Sequence, residues 1–264
     1  MNNFQAEQQN IWKETIQVRF GNIDRSDRLT LASVFNFFQE AAISHADKLG
    51  AGRYALAQNG QVWILSRMSV RINKRPRYGD TITVRTWPRG GEKLFAIRDY
   101  DICDSEGSPL IQARSSWLII DINKRRPLRP QIVIDKLPLN DGINALPCGT
   151  PSLCERQDLQ KIAERNAVYS EIDYNGHVNN VSYIQWIQDA VQSPLLENAT
   201  QLRLDINYLN EVLPGETVEI RTALLPESAA GGAGTDSSQF YAFEGRIVSN
   251  GQPAFRAELR LERV

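Results

Sequence analysis

The run Ile172-Asp173-Tyr174-Asn175-Gly176-His177, leading into Val178 to Val191, has an earlier counterpart in Ile23-Asp24-Arg25-Ser26-Asp27-Arg28, leading into Leu29 to Ala42. At one fixed offset and without a gap, Asp24 meets Asp173, Ser33 meets Ser182, Phe37 meets Trp186, Gln39 meets Gln188 and Glu40 meets Asp189. Further on, Gly79-Asp80-Thr81-Ile82-Thr83-Val84-Arg85-Thr86 is matched by Gly215-Glu216-Thr217-Val218-Glu219-Ile220-Arg221-Thr222, and Gly107-Ser108-Pro109 by Gly251-Gln252-Pro253. Self-similarity at this distance means two copies of one supersecondary unit.

Each unit reads as a short strand, a helix, then three or four strands. In the first, Val34, Phe37, Phe38, Ala41 and Ala42 recur at three- and four-residue steps and Gly50 supplies a stop, which predicts one buried helical stripe. The second helix opens at Asn179 or Asn180, both good N-caps, turns Val181, Ile184, Ile187 and Val191 to one side, and must end before Pro194. The period then changes to two: Ile82, Val84 and Thr86 alternate with polar residues, as do Val218, Ile220 and Thr222.

Turn signals at Tyr78-Gly79-Asp80, Glu106-Gly107-Ser108-Pro109, Pro214-Gly215 and Asn250-Gly251 join strands by hairpins, so the sheet should be mainly antiparallel. One long helix held against a curved antiparallel sheet is the α+β hot-dog arrangement, and two copies make a tandem, or double, hot dog. The expected division is residues 1–125 for the first repeat, 126–165 for a connector and 166–264 for the second repeat. Five prolines between Asp121 and Ala167 suit an extended connector, with a short helical piece expected near Gln157 to Arg165. Pro226 to Ser238, rich in Gly and Ala, reads as a loop with no core to build.

The composition is that of a globular protein: 264 residues, 42% hydrophobic, 23% charged and 8% aromatic. Thirty cations against 31 acids leave a net charge of −1, so no global field favours nucleic acid. Apolar stretches such as Trp117 to Ile120 fall far short of the roughly 20 residues that span a bilayer. Met1 to Lys13 carries neither an apolar signal core nor transit-peptide character, which points to the cytoplasm. Three cysteines and two histidines make a disulfide framework and a zinc site poor expectations, and no cofactor or metal is expected.

The two repeats differ where chemistry is concerned, because Arg28 stands where His177 does. A histidine titrates near neutrality, and an adjacent Asn or Asp fixes its tautomer, which are the demands on a general acid or base. The helix that follows adds backbone N–H donors suited to an oxygen gaining negative charge. Asn179 and Asn180 also have a plain reading as helix caps. A lone loop histidine is more often structural than catalytic, and the concentration Asp-x-Asn-x-His-x-Asn is what shifts that balance.

Asp173 to Trp186 resembles the signature of acyl-acyl-carrier-protein thioesterases, which end fatty acid synthesis by hydrolysing the acyl thioester. Phe38 to Ala46, Leu49-Gly50, Trp117 to Asp121 and Lys124-Arg125-Arg126 resemble further parts of that family, so the likeness covers nearly the whole chain. The shorter Asp-x-Asn-x-His core is shared with acyl-CoA thioesterases of the hot-dog type. The resemblance implies a catalytic set of Asp173, Asn175, His177 and a glutamate after the second helix, which falls on Glu211. Read alone, Glu211 is a surface carboxylate at a strand end. Where plant members carry a cysteine, this chain has Val212, so water must be the nucleophile.

The resemblance also implies that the first repeat holds the acyl chain. Candidate substrate-binding residues are Phe38 and Trp63, with Phe35, Phe37, Ile43, Ile64 and Leu65 nearby, and Asn179 and Asn180 beside the catalytic loop. Two basic clusters could dock an acidic acyl carrier protein: Arg67, Arg71, Lys74, Arg75 and Arg77, and Lys124, Arg125 and Arg126. Open sheet edges leave a homodimer conceivable. The competing readings are an acyl-CoA thioesterase of the same fold, a non-catalytic hot dog that binds acyl thioesters, and a hot-dog dehydratase.

Overall fold

The computed structural model describes residues 11–138, 140, 142–226 and 238–262. The expected loop from Pro226 to Ser238 lies almost entirely outside them, as does most of the segment before Lys13. The first repeat holds β1 (Trp12–Gln17), α1 (Leu31–Lys48), α2 (Arg53–Ala57), β2 (Gln61–Ile72), β3 (Thr81–Glu92), β4 (Phe95–Cys103) and β5 (Pro109–Asp121), and the stretch expected as the connector opens with β6 (Arg126–Leu128) and α3 (Gln131–Ile134). The second comprises β7 (Gln160–Asn166), α4 (Asn180–Ala190), α5 (Ser193–Asn198), β8 (Gln201–Tyr208), β9 (Thr217–Leu225), β10 (Gln239–Ile247) and β11 (Pro253–Glu262).

The strands form one continuous antiparallel sheet in the order β1-β3-β4-β5-β2-β8-β11-β10-β9-β7, with β6 paired to β5. Counting outward from the β2–β8 pair gives the same order of counterparts in both directions, so the two hot dogs share one sheet. Thr30 caps α1 by accepting from the Ser33 N–H, and Asn179 caps α4 by accepting from the Val181 N–H. The expected turn glycines Gly79, Gly107, Gly215 and Gly251 all have positive φ.

Both long helices pack on the same face of the sheet and against each other. Their buried stripes, Val34, Phe35, Phe38, Ala41 and Ala42 in α1 and Val181, Ile184 and Ile187 in α4, join a single hydrophobic core with alternate residues of β3, β8 and β9. Phe37, expected on the stripe, is half-buried at its edge. Ile43 and Ile64 face outward, 46% and 36% exposed, and so leave the set of chain-lining candidates.

On the opposite face the connector crosses the sheet as a strap held by polar side chains. Leu153 N donates to Asn207 Oδ1 at 2.8 Å, Asn207 Nδ2 to the Pro151 carbonyl at 2.9 Å, and Gln112 Nε2 to the Ala145 carbonyl at 2.7 Å. Asp99, fully buried, accepts two bonds from Arg114 at 2.7 and 2.8 Å and one from the Ala145 N–H at 2.9 Å. Those partners offset the desolvation of a buried carboxylate.

The helical piece expected near Gln157 to Arg165 is instead strand β7. Its Gln, Lys, Glu and Arg favour a helix locally, but its backbone completes the edge of β9 from Gln160↔Thr222 to Asn166↔Thr217. Tertiary pairing overrides propensity here. β7 is thereby the counterpart of β1, which lies on β3 at the other end of the sheet.

Candidate active site

The loop before α4 closes on itself. Asp173 N donates to the His177 carbonyl at 2.8 Å and Gly176 N to the Asp173 carbonyl at 3.0 Å, with Gly176 at φ 83°. A residue with a Cβ is strained in that region, which is why glycine makes the turn. Asp173 Oδ1 accepts from the Asn175 N–H at 2.8 Å and Oδ2 from Asn175 Nδ2 at 3.1 Å, so the carboxylate fixes both backbone and amide of Asn175.

Val178 N then donates to the Val212 carbonyl at 2.9 Å, stitching the loop to the segment after β8. The consequence is that His177 Nε2 stands 3.3 Å from Glu211 Oε2, with side chains 31% and 61% exposed. Asp173, Asn175, His177 and Glu211 are therefore brought together at the N-terminus of α4, although Glu211 lies 34 positions beyond His177 in sequence. Val212 itself is fully buried.

The remaining candidates are spread more widely. Asn179 spends its side chain on the helix cap and its N–H on the Glu171 carbonyl, and the Asn180 carbonyl accepts from the Tyr208 hydroxyl. Phe38 is buried against Tyr100 in the core of the first repeat, with ring centroids 5.0 Å apart. Trp63 belongs to a smaller cluster beneath α2, packs edge-on to Trp117 at 6.5 Å and donates to the Ala51 carbonyl.

Of the basic candidates, Arg75 drops out of any docking surface. Its side chain is 5% exposed and is spent on Asp24 at 2.8 Å and on the Leu196 carbonyl at 2.7 Å. β2 has 12 residues, which places its ends about 40 Å apart. Lys74 and Arg77 follow its far end and Arg71 is within two residues of it. Lys124, Arg125 and Arg126 lie beside its start, where Ile122 N donates to the Gly60 carbonyl. The β2–β8 pairing runs from Ile72↔Leu202 to Arg67↔Asn207, so the end of β8 from which the chain runs on to Glu211 lies toward the first half of β2.

The same loop in the first repeat is closed. Leu29 N donates to the Pro76 carbonyl at 2.8 Å as Val178 does to Val212, so Arg75 occupies the place of Glu211. Asp24 accepts from the Ser26 N–H, the Ser26 hydroxyl and the Arg28 N–H, and pairs with Arg75. Burial opposes its charge, but those hydroxyl, guanidinium and backbone partners outweigh it and hold the Asp24 carboxyl below its ordinary value. Arg28 Nη1 reaches the Glu197 carbonyl at 3.2 Å. What is an open His–Glu pair in one repeat is a structural clamp in the other.

Tyr183 was not singled out from sequence. It is buried, with its phenol beside the Val212 backbone. Burial pushes its pKa upward; the Val212 contact opposes this, and the nearby Glu211 charge adds to the rise. It heads an aromatic cluster with Trp186 at 5.2 Å, Phe255 at 5.3 Å and Tyr208 at 5.9 Å. The signal was present in the repeat, because Val34 stands where Tyr183 does and Ile72 where Tyr208 does.

The cysteines stand apart from this site. Cys103 is buried and its thiol is pushed up to about 11 by burial and by Asp101. Cys148 and Cys154 ride on the strap across the far face of the sheet. Among the described residues no group of three or more His, Cys, Asp or Glu side chains is arranged to hold a metal ion. An open polar cleft of about 630 Å³ between α1, α4 and β7 is lined by none of the four clustered residues. No described helix is long and apolar enough to cross a membrane.

Known proteins share this architecture and sequence. Residues 9–135 match the family profile described as acyl-ACP thioesterase N-terminal domain, and residues 154–260 match the acyl-ACP thioesterase C-terminal domain. A chloroplastic palmitoyl-acyl carrier protein thioesterase of Cuphea hookeriana is 26% identical over 260 residues, covering 90% of this chain and 60% of the plant protein. Oleoyl-acyl carrier protein thioesterase 1 of Arabidopsis thaliana is 25% identical over 258 residues, covering 87% of this chain and 70% of its own. Against several of these curated relatives the chain spans little more than half their length.

The solved structure of an acyl-ACP thioesterase from Bacteroides thetaiotaomicron superposes with a TM-score of 0.82 at 25% identity, covering 97% of this chain and 99% of that one. The 12:0-ACP thioesterase of Umbellularia californica, at 18% identity, shares the fold with a TM-score of 0.79 over 98% and 96% of the two chains. With both family profiles matched in order over most of its length, and the His177–Glu211 pair set in a double hot dog, the chain belongs to the acyl-ACP thioesterase family.

Proposed function

We propose that this protein hydrolyses fatty acyl thioesters of acyl carrier protein, releasing the free fatty acid. The observation that carries the reading is the 3.3 Å approach of His177 Nε2 to Glu211 Oε2 at the N-terminus of α4. The pair positions a water and takes one of its protons. The water oxygen adds to the thioester carbonyl carbon, and the positive end of the α4 dipole stabilises the developing oxyanion. Collapse breaks the C–S bond, the proton passes to the departing thiolate, and the products are a carboxylic acid and the carrier thiol. Asp173 positions Asn175, which orients the imidazole or the thioester.

The acyl chain goes to the first repeat. The rings of Tyr183, Trp186, Tyr208 and Phe255 fill the space beneath α4, whereas the first repeat carries Val34, Phe37, Ile72 and Ile111 at the corresponding positions. Three of these are aliphatic and Phe37 is smaller than Trp186, so these positions leave more room for a chain. For the carrier, Lys124, Arg125 and Arg126 lie at the catalytic end of β2 and are the basic cluster best placed to meet an acidic partner.

His177→Ala and Glu211→Gln should each lower kcat on an acyl carrier protein thioester by about 10²–10⁴-fold, the usual worth of a general base. Circular dichroism should stay that of the wild type. Near-normal turnover in both variants would overturn the assignment. Tight acyl-thioester binding without wild-type turnover would make the protein a non-catalytic acyl-thioester binder.

A further inference from the structure

We infer that Arg53, clamped between Tyr54 and Tyr174, is the subsite for the phosphate that terminates the pantetheine arm of the thioester. The inference deepens the thioesterase reading and rests on it. Arg53 comes from α2 in the first repeat, yet its guanidinium lies 4.1 Å from the ring centroid of Tyr174, which belongs to the catalytic loop of the second. It also lies 4.4 Å from the ring of Tyr54 and donates to the Tyr54 hydroxyl. This is the place where the first repeat reaches the loop that carries His177.

The chemistry of the platform favours an anion. Tyr54 and Tyr174 are 68% and 67% exposed, so two aromatic rings hold a surface arginine in a fixed orientation that such a side chain ordinarily lacks. Among the described residues no carboxylate forms an ion pair with Arg53, and its charge is met only by the two phenols. The acids near the platform in sequence have other settings: Asp173 is bonded to Asn175, Glu171 accepts from Trp186 Nε1 and the Val168 N–H, and the Asp47 carboxylate lies over Gly52. One Nη2–H of the guanidinium is spent on the Tyr54 hydroxyl, and the other N–H groups of its planar fork are of the kind that fits phosphate oxygens.

The position suits the length of the substrate. Tyr174 and His177 are three residues apart, so their Cα atoms lie within about 11 Å of each other, and the Tyr174 and Arg53 side chains extend farther. Arg53 is therefore within reach of the far end of a pantetheine arm whose thioester carbonyl is at the His177–Glu211 pair. Both sources of the arm end in phosphate: a phosphodiester on a carrier protein and a diphosphate in coenzyme A. The basic turn Lys124-Arg125-Arg126, reached through the contact of Ile122 with Gly60, continues the positive surface beyond the platform.

The test presents one acyl group as the thioester of pantetheine, of 4′-phosphopantetheine, of coenzyme A and of acyl carrier protein, to wild type, Arg53→Gln and Arg53→Lys. Wild type should have a lower KM for the phosphopantetheine thioester than for the pantetheine thioester. Arg53→Gln should erase about fivefold of that preference, and Arg53→Lys should keep part of it. A phosphodiester source predicts the loss on the carrier protein as on phosphopantetheine, whereas a diphosphate source predicts the larger loss on coenzyme A.

If Arg53→Gln slows the phosphorylated and unphosphorylated thioesters by one common factor, Arg53 merely joins the repeats and the subsite is refuted. Wild-type preference that survives Arg53→Gln intact would refute it as well. Wild-type inactivity on all four thioesters would overturn the thioesterase reading and the subsite with it.

Discussion

Among the exchanges that separate the open loop from its closed twin are His177 for Arg28, Asn175 for Ser26 and Glu211 for Arg75. In the first repeat the guanidinium of Arg75 pairs with Asp24, whereas in the second the matching aspartate turns to Asn175 and leaves His177 to meet Glu211. His177, Asp173 and Asn175 were legible in sequence because they share a six-residue turn whose spacing is local. Glu211 was not legible from its own surroundings; at 61% exposure it is indistinguishable from an ordinary surface carboxylate until the fold sets it beside His177. Tyr183 is the residue-scale test of that setting. Tyr183→Phe deletes one buried contact to the Val212 backbone, costs about 1 kcal/mol of stability, and should lower kcat severalfold with KM little changed, since Val212 adjoins Glu211. A change in KM alone would mean that Tyr183 serves binding and not the geometry of the pair.

At the scale of elements, periodicity found both long helices, with the N-cap of the second, and it failed at β7. Residues Gln160–Asn166 carry no strong alternation, and only the unpaired edge of β9 decides that they extend. The connector likewise shows prolines in sequence but not the side of the sheet it will cross. Strand β10 supplies an expected outcome at this scale. Gly245 pairs with Phe255, and a Cβ at Gly245 would come within 2.2 Å of that ring. Gly245→Ala should therefore push Phe255 into the Tyr183 stack and destabilise the protein by about 1–3 kcal/mol, read as a lowered denaturant midpoint. Wild-type stability would show that the ring has room to retreat.

For the whole molecule, the shared sheet makes the closed loop of the first repeat a joint between the two units. Arg75 and Arg28 reach carbonyls at the end of α5, and Arg25 pairs with Glu197 on the same helix. Because the folded-state pKa of Asp24 is depressed, its stabilisation is complete above the unfolded value near 3.8 and is lost as pH falls through the lower folded value. Asp24→Asn should accordingly reduce stability at neutral pH and flatten the acid limb of the stability curve; an unchanged limb would remove Asp24 from the joint. What the sequence determined by itself was the repeat, the helix and hairpin plan, and the loop that carries His177, because each is written in contacts a few residues apart. The tertiary structure alone decided that the two sheets fuse along β2 and β8, that Arg75 is interior, that Arg53 reaches the loop that carries His177, and how Glu211, which only the family resemblance had named, comes to stand beside it. Those outcomes depend on strand register and on packing between segments remote in the chain, where burial and pairing outweigh anything a local pattern encodes.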